Sequence, residues 1–224
     1  MKRETGNLPL PAGRREKYSS VLLNLLLFTT GIFLFAWFIH GSGYKQTIAL
    51  VALLLPCIAL YRYTLYEKSP REIFHSPGHK YFSAALLTGL LLGAGSGIYY
   101  RVSINTTPIP VLITWFAPVA IAIGFAEELV FRGVAFSMLH KLPAYLTIPI
   151  TAVLHASYKT LLFLQPNIVH PVDTWFLFYT TFLAGLVLGF ISYAGKSVLP
   201  AMSSHGLWDA VVYGDSPTAP WWVW

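Results

Sequence analysis

Long apolar runs dominate this sequence and restrict the folds that it can form. Seven runs, each about long enough to cross the hydrocarbon core of a bilayer, cover residues 20–39, 47–66, 81–100, 110–135, 143–164, 174–194 and 198–213. Hydrophobic residues make up 55% of the 224 and charged residues only 11%, whereas soluble domains are about a quarter charged. The sequence therefore predicts an all-α, polytopic transmembrane helix bundle of about seven spans.

The chain is predicted to form one bundle with short polar ends. We assign residues 1–19 to a basic cytoplasmic leader, residues 20–213 to the bundle with its motif-bearing core at 110–213, and residues 214–224 to an aromatic tail. No linker, low-complexity tract or internal repeat marks a second domain. The first apolar run follows a long charged leader and precedes no A-x-A site, so we expect an uncleaved anchor. Cys57 is the sole cysteine, which excludes a disulfide framework and a Cys-ligated zinc site.

Lysine and arginine predict the orientation of the bundle. The leader and the loops after the second, fourth and sixth runs carry eleven basic residues, namely Lys2, Arg3, Arg14, Arg15, Lys17, Arg62, Lys68, Arg71, Lys80, Lys141 and Lys196. The opposite side carries only Lys45 and Arg101. By the positive-inside rule, the amino terminus is expected to be cytoplasmic. The same asymmetry predicts contact with anionic lipid headgroups and gives no reason to expect a nucleic-acid partner.

Several ionisable side chains fall deep inside the predicted spans, where a charge costs several kcal/mol. They are Glu127, Glu128 and Arg132 in the fourth run, His155 and Lys159 in the fifth, and His205 and Asp209 in the seventh. Such groups usually face a bundle interior or a water-filled cavity. At ~1.5 Å per residue along each helix, Glu127, His155 and His205 can meet in one layer. We therefore expect a functional site in a cavity that opens toward the inner half of the membrane.

Local spacing separates the roles of the two adjacent glutamates. Glu128 and Arg132 are i and i+4 and can pair, whereas Glu127 points about 100° away around the helix. Arg132 is therefore expected to neutralise and fix Glu128, which leaves Glu127 to face the cavity as a candidate general base. His205 and Asp209 repeat the i, i+4 spacing, so the carboxylate can orient the imidazole or share its proton.

These residues resemble the motifs of a known family. EELVFR, residues 127–132, fits the EExxxR motif of the CAAX-prenyl-endopeptidase and bacteriocin-processing family of intramembrane glutamic endopeptidases, also called the abortive-infection family. TAVLH, which ends at His155, is similar to the family's FxxxH motif with Thr151 in place of phenylalanine. HGLWD, residues 205–209, fits HxxxN or HxxxD. The three motifs occur in the family's order on separate predicted helices.

The resemblance implies peptide hydrolysis without a cofactor. Glu127 would activate a water, His155 would help to position it, and His205 with Asp209 would stabilise the oxyanion. Family proteins with asparagine at the last position can donate a hydrogen bond directly. Asp209 could do so only if protonated, so its expected role is to orient His205. Thr151 lies one turn before His155 and is expected to shape the pocket.

Lys159 is not explained by the motifs. It follows His155 by four residues and lies on roughly the same helix face. The favoured interpretation is that its side chain extends to the membrane interface. The alternative is a substrate-binding role, in which its ammonium group binds an acidic group beside the scissile bond.

We therefore predict an integral, multi-pass endopeptidase of a prokaryotic plasma membrane that cleaves a membrane-associated substrate near its carboxyl terminus or leader. Three alternatives stay open. The first is a non-proteolytic membrane immunity or scaffold protein. The second is a zinc-dependent membrane protease, although no H-E-x-x-H sequence is present. The third is a proton-coupled transporter, although no pair of broken helices marks an inverted repeat.

Overall fold

The protein is built from helices. A computed structural model of the chain describes residues 12–66, 80–139, 141–164 and 173–217. In chain order its helices are α1 (Ala12–Phe38), α2 (Tyr44–Ala52), α3 (Leu54–Tyr66), α4 (Phe82–Ser103), α5 (Phe116–Glu128), a π-helix (Leu129–Ala135), α6 (Phe136–Met138), α7 (Ala144–Phe163), α8 (Thr174–Gly195) and α9 (Leu199–Tyr213). The described residues form no β-strand, which confirms the all-α prediction. Residues 1–11 of the leader and 218–224 of the tail lie outside the described residues.

The helices of the described ranges group into seven segments, because α2 and α3 form one segment and α5 continues through the π-helix into α6. Five segments are long and apolar enough to cross a membrane: Ser20–Phe38, Tyr44–Leu65, Phe82–Ser103, Ala144–Phe163 and Thr174–Gly195. The other two are the α5–π–α6 segment and the 15-residue α9. The seven helical segments match the seven predicted apolar runs, and five of them are candidate membrane spans. The two segments that fall short as spans are those that carry Glu127 and His205.

The fourth predicted span begins too early. It was placed from residue 110, but α5 begins at Phe116, and residues 104–115 form a non-helical connection. Pro108 and Pro110 lack backbone N–H groups and disfavour helical conformation in the residues before them. Thr114 instead bonds to the segment after α9. Its N–H donates to the carbonyl of Gly214 at 2.7 Å, and its hydroxyl donates to that of Ser216 at 2.6 Å.

Glycines allow α4 to lie directly against α9. A Cβ at Gly89 would come within 2.4 Å of the carbonyl oxygen of Pro200, and one at Gly93 within 2.1 Å of that of Ser204. The residue numbers of these contacts rise in the same direction along both helices, so α4 and α9 are parallel. Close approach of this kind is how helices associate where no hydrophobic driving force is available.

The contacts of the remaining helices fix the direction of each one. On α1, Phe28 belongs to the same cluster as Tyr158 and Ala36 packs on Leu162, so α1 and α7 are parallel. Helix α7 is antiparallel to α5 and α8, and α5 is antiparallel to α9. Helices α1, α4, α7 and α9 therefore all begin at one end of the bundle. We call this the start end and the other the far end.

Arg101 joins α4 to the end of α9 at the far end. Its side chain is buried, and its two Nη atoms donate to the Asp215 carboxylate at 2.8 and 2.6 Å. Its Nε donates to the carbonyl of Thr107 at 2.6 Å, and Nη1 also donates to the carbonyl of Val211 at 3.2 Å. The hydrogen bond from Arg101 holds the pKa of Asp215 below its usual range. We call this group the Arg101 clasp.

Replacement of Asp215 by asparagine should lower the free energy of unfolding by about 1 kcal/mol at neutral pH, because the Asp215 side chain is partly screened by solvent. A carboxylate whose pKa is lowered on folding stabilises the protein above its unfolded pKa of about 4. The difference between the two proteins should therefore be complete at pH 6 to 7. It should disappear as the pH falls through the lowered pKa of the folded state. Unfolding in detergent micelles at several pH values measures this, and an equal difference at every pH would contradict it.

Candidate active site

The first motif spans the junction between an α-helix and a π-helix. Glu127 and Glu128 are the last residues of α5, and Arg132 lies in the π-helix. A π-helix is wider than an α-helix, is rare, and occurs frequently at functional sites. This change could not be predicted from the sequence, because LVFRGVA contains no proline or other residue that requires it.

Glu128 binds both its own helix and α9. Its Oε1 accepts a hydrogen bond from Nη1 of Arg132 at 3.1 Å, as the i, i+4 spacing predicts. Both side chains are completely buried. The same oxygen lies 3.0 Å from Nδ1 of His205. Because an ionised carboxylate only accepts, we assign the hydrogen to Nδ1 of His205.

His155 is oriented by contacts on both ring nitrogens. Its Nδ1 lies 2.6 Å from Nη1 of Arg132, and its Nε2 lies 3.3 Å from Oε2 of Glu127. Since arginine has no acceptor, Nδ1 must accept, and the hydrogen is assigned to Nε2. The ring of Phe131 stacks on the imidazole with a centroid distance of 4.4 Å and an angle of 17°. His155 therefore donates to Glu127 from a fixed ring.

The prediction that His205 pairs with Asp209 is wrong, because the partner of His205 is Glu128. Nε2 of His205 lies 3.8 Å from Oδ2 of Asp209, which is too long for a hydrogen bond. Glu128 holds the imidazole instead, through Nδ1. The reason is the position of Asp209, which packs against Gly124 of α5, where a Cβ would lie 2.2 Å from its Oδ2. Nε2 of His205 faces Glu127 as well, at 3.9 Å.

Two expectations for α7 also fail. Lys159 does not extend to the membrane interface, because its ammonium group donates to Oε1 of Glu127. Thr151 does not shape the pocket. It is fully buried, its hydroxyl bonds to the carbonyls of Thr147 and Ile148 in its own helix, and it does not line the cavity described below.

A cavity of about 760 Å³ lies beside these groups. Glu127, His155, Lys159, His205 and Asp209 line one part of it. Most of the remaining wall is apolar and is contributed by α4, α8 and the far halves of α7 and α9; it includes Leu92, Ser96, Tyr100, Phe163, Leu177, Thr181, Ala184, Leu188 and Trp208. Leu92 of α4 and Leu183 and Val187 of α8 line the cavity and are exposed. The cavity therefore opens sideways between α4 and α8.

The position of the cavity conflicts with the predicted depth. On α4 and α7 the lining positions lie from the middle of each helix to its last turn, and on α8 they lie mainly in the first half. The cavity therefore occupies the far half of the bundle, away from the start of α1. A cytoplasmic amino terminus places this half outside. The two predictions, a cytoplasmic amino terminus and a cavity toward the inner half, cannot both be correct.

Two glycines that make room for the site were not identified from the sequence. Gly124 lies one turn before the glutamate pair and provides the space for Asp209. Gly185 of α8 faces Arg132, and a Cβ there would lie 2.8 Å from its Nη2. The spacing of Gly124 from the motif is a signal that could have been used. Nothing in the α8 sequence separates Gly185 from its other glycines.

Among the described residues, no three His, Cys, Asp or Glu side chains are arranged as ligands of a metal ion. Carboxylates and imidazoles are close together, but each polar contact at Glu127 and Glu128 goes to a cationic or imidazole side chain.

The fold and the site define an integral membrane protein of the all-helical class, with paired glutamates and two histidines at an apolar cavity. Residues 108–211 match the family model for type II CAAX prenyl endopeptidase, Rce1-like. This segment covers slightly less than half of the chain and contains all three motifs, and over it the chain is similar to that family of proteases. Comparison with curated proteins and with solved structures gave no match.

Loss of Arg132 should strongly destabilise the bundle. Arg132→Met leaves Glu128 as an uncompensated buried charge, which costs about 3–5 kcal/mol. The double variant Glu128→Gln with Arg132→Met removes both charges and should recover a large part of this loss. Unfolding in detergent micelles compares the three proteins. A single variant as stable as the wild type, or a double variant less stable than Arg132→Met, would contradict the assignment.

Proposed function

We propose that this chain is an intramembrane endopeptidase in which Glu127 acts as a general base on a water molecule. The observation that carries the proposal is the position of Glu127, whose carboxylate reaches an apolar cavity while the adjacent Glu128 is neutralised by Arg132. A carboxylate at such a site can take a proton from a water that attacks a peptide carbonyl. The match of residues 108–211 to a protease family model supports peptide hydrolysis as the reaction.

The remaining motif residues support this assignment as positioning groups. Nε2–H of His155 is directed at Oε2 of Glu127 and fixes one oxygen of the base. Glu128 and Arg132 hold the π-helix, α7 and α9 together through His155 and His205. A base held on rigid, hydrogen-bonded neighbours is aligned before the substrate arrives, which lowers the entropic cost of reaching the transition state.

The substrate class follows from the lateral opening. A membrane-associated peptide, near its carboxyl terminus or in a leader segment, can reach Glu127 from the lipid between α4 and α8. The basic residues of the leader and loops favour a cytoplasmic amino terminus. In that orientation the substrate bond is cleaved in the outer half of the membrane of a prokaryotic cell.

Replacement of Glu127 by glutamine should abolish cleavage without loss of protein. We would express the wild type, Glu127→Gln and the control Glu72→Gln, which lies outside the family-matched segment, in a host that lacks the gene. Protein termini in membrane and secreted fractions are then mapped. A set of termini should appear with the wild type and with the control, and should fall at least about 10³-fold with Glu127→Gln, because no base is left to activate water.

The same experiment separates the alternatives. Identical termini in all strains, with a deletion phenotype that Glu127→Gln still rescues, would favour the immunity or scaffold protein. Termini that disappear when membranes from the wild type are treated with a zinc chelator would favour the zinc protease.

Closure of the lateral opening should block access of the substrate. Ser96 on α4 and Ala184 on α8 both line the cavity, so cysteines at these positions, in a Cys57→Ala background, can be joined by a thiol crosslinker. Crosslinking should reduce cleavage at least about tenfold if the substrate enters here. The matched control joins Ala85→Cys to Gly195→Cys, where the same two helices lie so close that a Cβ at Gly195 would be 3.0 Å from that of Ala85, and should have no effect. Equal inhibition by both crosslinks would exclude this route.

A further inference from the structure

Hydrolysis at Glu127 requires a donor for the oxyanion, and Asp209 cannot supply one as a carboxylate. As water attacks, the carbonyl oxygen of the substrate becomes negative and must be stabilised by hydrogen-bond donors or positive charge. Asp209 lines the cavity where the third motif would place a donor, but its ionised side chain only accepts. Another side chain near Glu127 has to take this role.

Arg132 and His205 are poorly placed to donate. The Nη1 of Arg132 is used by Glu128 and His155, and its Nε and Nη2 are buried. His205 uses Nδ1–H for Glu128. Nη1 of Arg132 and Nδ1 of His205 therefore serve hydrogen bonds that assemble the site.

Lys159 meets the requirements for an oxyanion donor. It lines the cavity, its side chain is 18% exposed there, and its ammonium group already contacts Oε1 of Glu127. An ammonium group has three donors, and only one is used by Glu127. The carbonyl attacked by a water on Glu127 lies within a few ångströms of that carboxylate, and therefore within reach of Lys159.

We propose that Lys159 is a catalytic residue that stabilises the oxyanion in place of an amide donor at position 209, an inference that rests on the proposed function. In the substrate-free protein Lys159 covers one oxygen of Glu127. When the substrate binds, the ammonium group turns toward the carbonyl oxygen, which frees Oε1 for water.

The bonds and protons balance in this sequence. Glu127 takes a proton from water, the hydroxide oxygen bonds to the carbonyl carbon, and the π electrons move to the oxygen held by Lys159. The tetrahedral intermediate then collapses and the C–N bond breaks. The proton on Glu127 passes to the leaving nitrogen, and the products are a carboxylic acid and an amine.

The test uses a fluorogenic peptide that spans the cleavage site mapped from the new protein termini. Purified full-length wild type, Lys159→Met, Asp209→Asn, and the double variant are compared for kcat, KM and unfolding in micelles. Lys159→Met should lower kcat about 10²–10³-fold, the effect of losing one oxyanion donor, with a smaller change in KM. Asparagine at position 209 restores an N–H donor, so the double variant should recover at least tenfold in kcat over Lys159→Met.

The outcomes separate this inference from the proposed function. If kcat of Lys159→Met stays within threefold of the wild type, or the double variant is no faster than the single one, Lys159 is not the oxyanion donor. If Lys159 only stabilised the fold as the partner of Glu127, Asp209→Asn would not rescue Lys159→Met, because it restores no partner for Glu127. Glu127→Gln in the same assay is the reference: full activity in that variant overturns both proposals, whereas its loss beside an unaffected Lys159→Met overturns only the second.

Discussion

The buried charge of Arg132 determines how the motif-bearing half of the bundle is assembled. A buried guanidinium is costly unless it is paired, and here Nη1 of Arg132 contacts one acceptor in its own helix and one in α7. Glu128 and His155 provide these acceptors, and Glu128 in turn binds His205 on α9. One charge thereby sets the relative positions of three helices. Glu127 is the carboxylate that reaches the cavity, because Glu128 is engaged in this network.

The sequence predicted those features of the site that depend on position along a helix. The Glu128–Arg132 pair follows from local spacing, and the meeting of Glu127 with His155 follows from their similar depth. It did not predict features that depend on the rotation of one helix against another. Glu128 and not Asp209 holds His205 because Asp209 packs against Gly124 of α5, and no motif describes this contact.

The same distinction applies to the fold. Hydropathy located the helices, but it extended the fourth one into residues 110–115 because apolar composition alone does not register the missing N–H groups of proline. It also placed Lys159 at the membrane interface, since its partner lies 32 positions earlier in the chain. The conflict between predicted orientation and cavity depth has another origin. The motifs predict the layer in which the site residues meet. The side of that layer on which the cavity opens depends on where α4 and α8 contact each other.

The π-helix affects how many residues the helix needs to cover a given length at this site. Each turn of a π-helix contains more residues than an α-helical turn, so the segment Leu129–Ala135 includes an additional residue for its length. Removing one residue there would return the segment to α-helical geometry and leave the helix beyond it in nearly the same orientation, because the wider turn accommodates the extra residue.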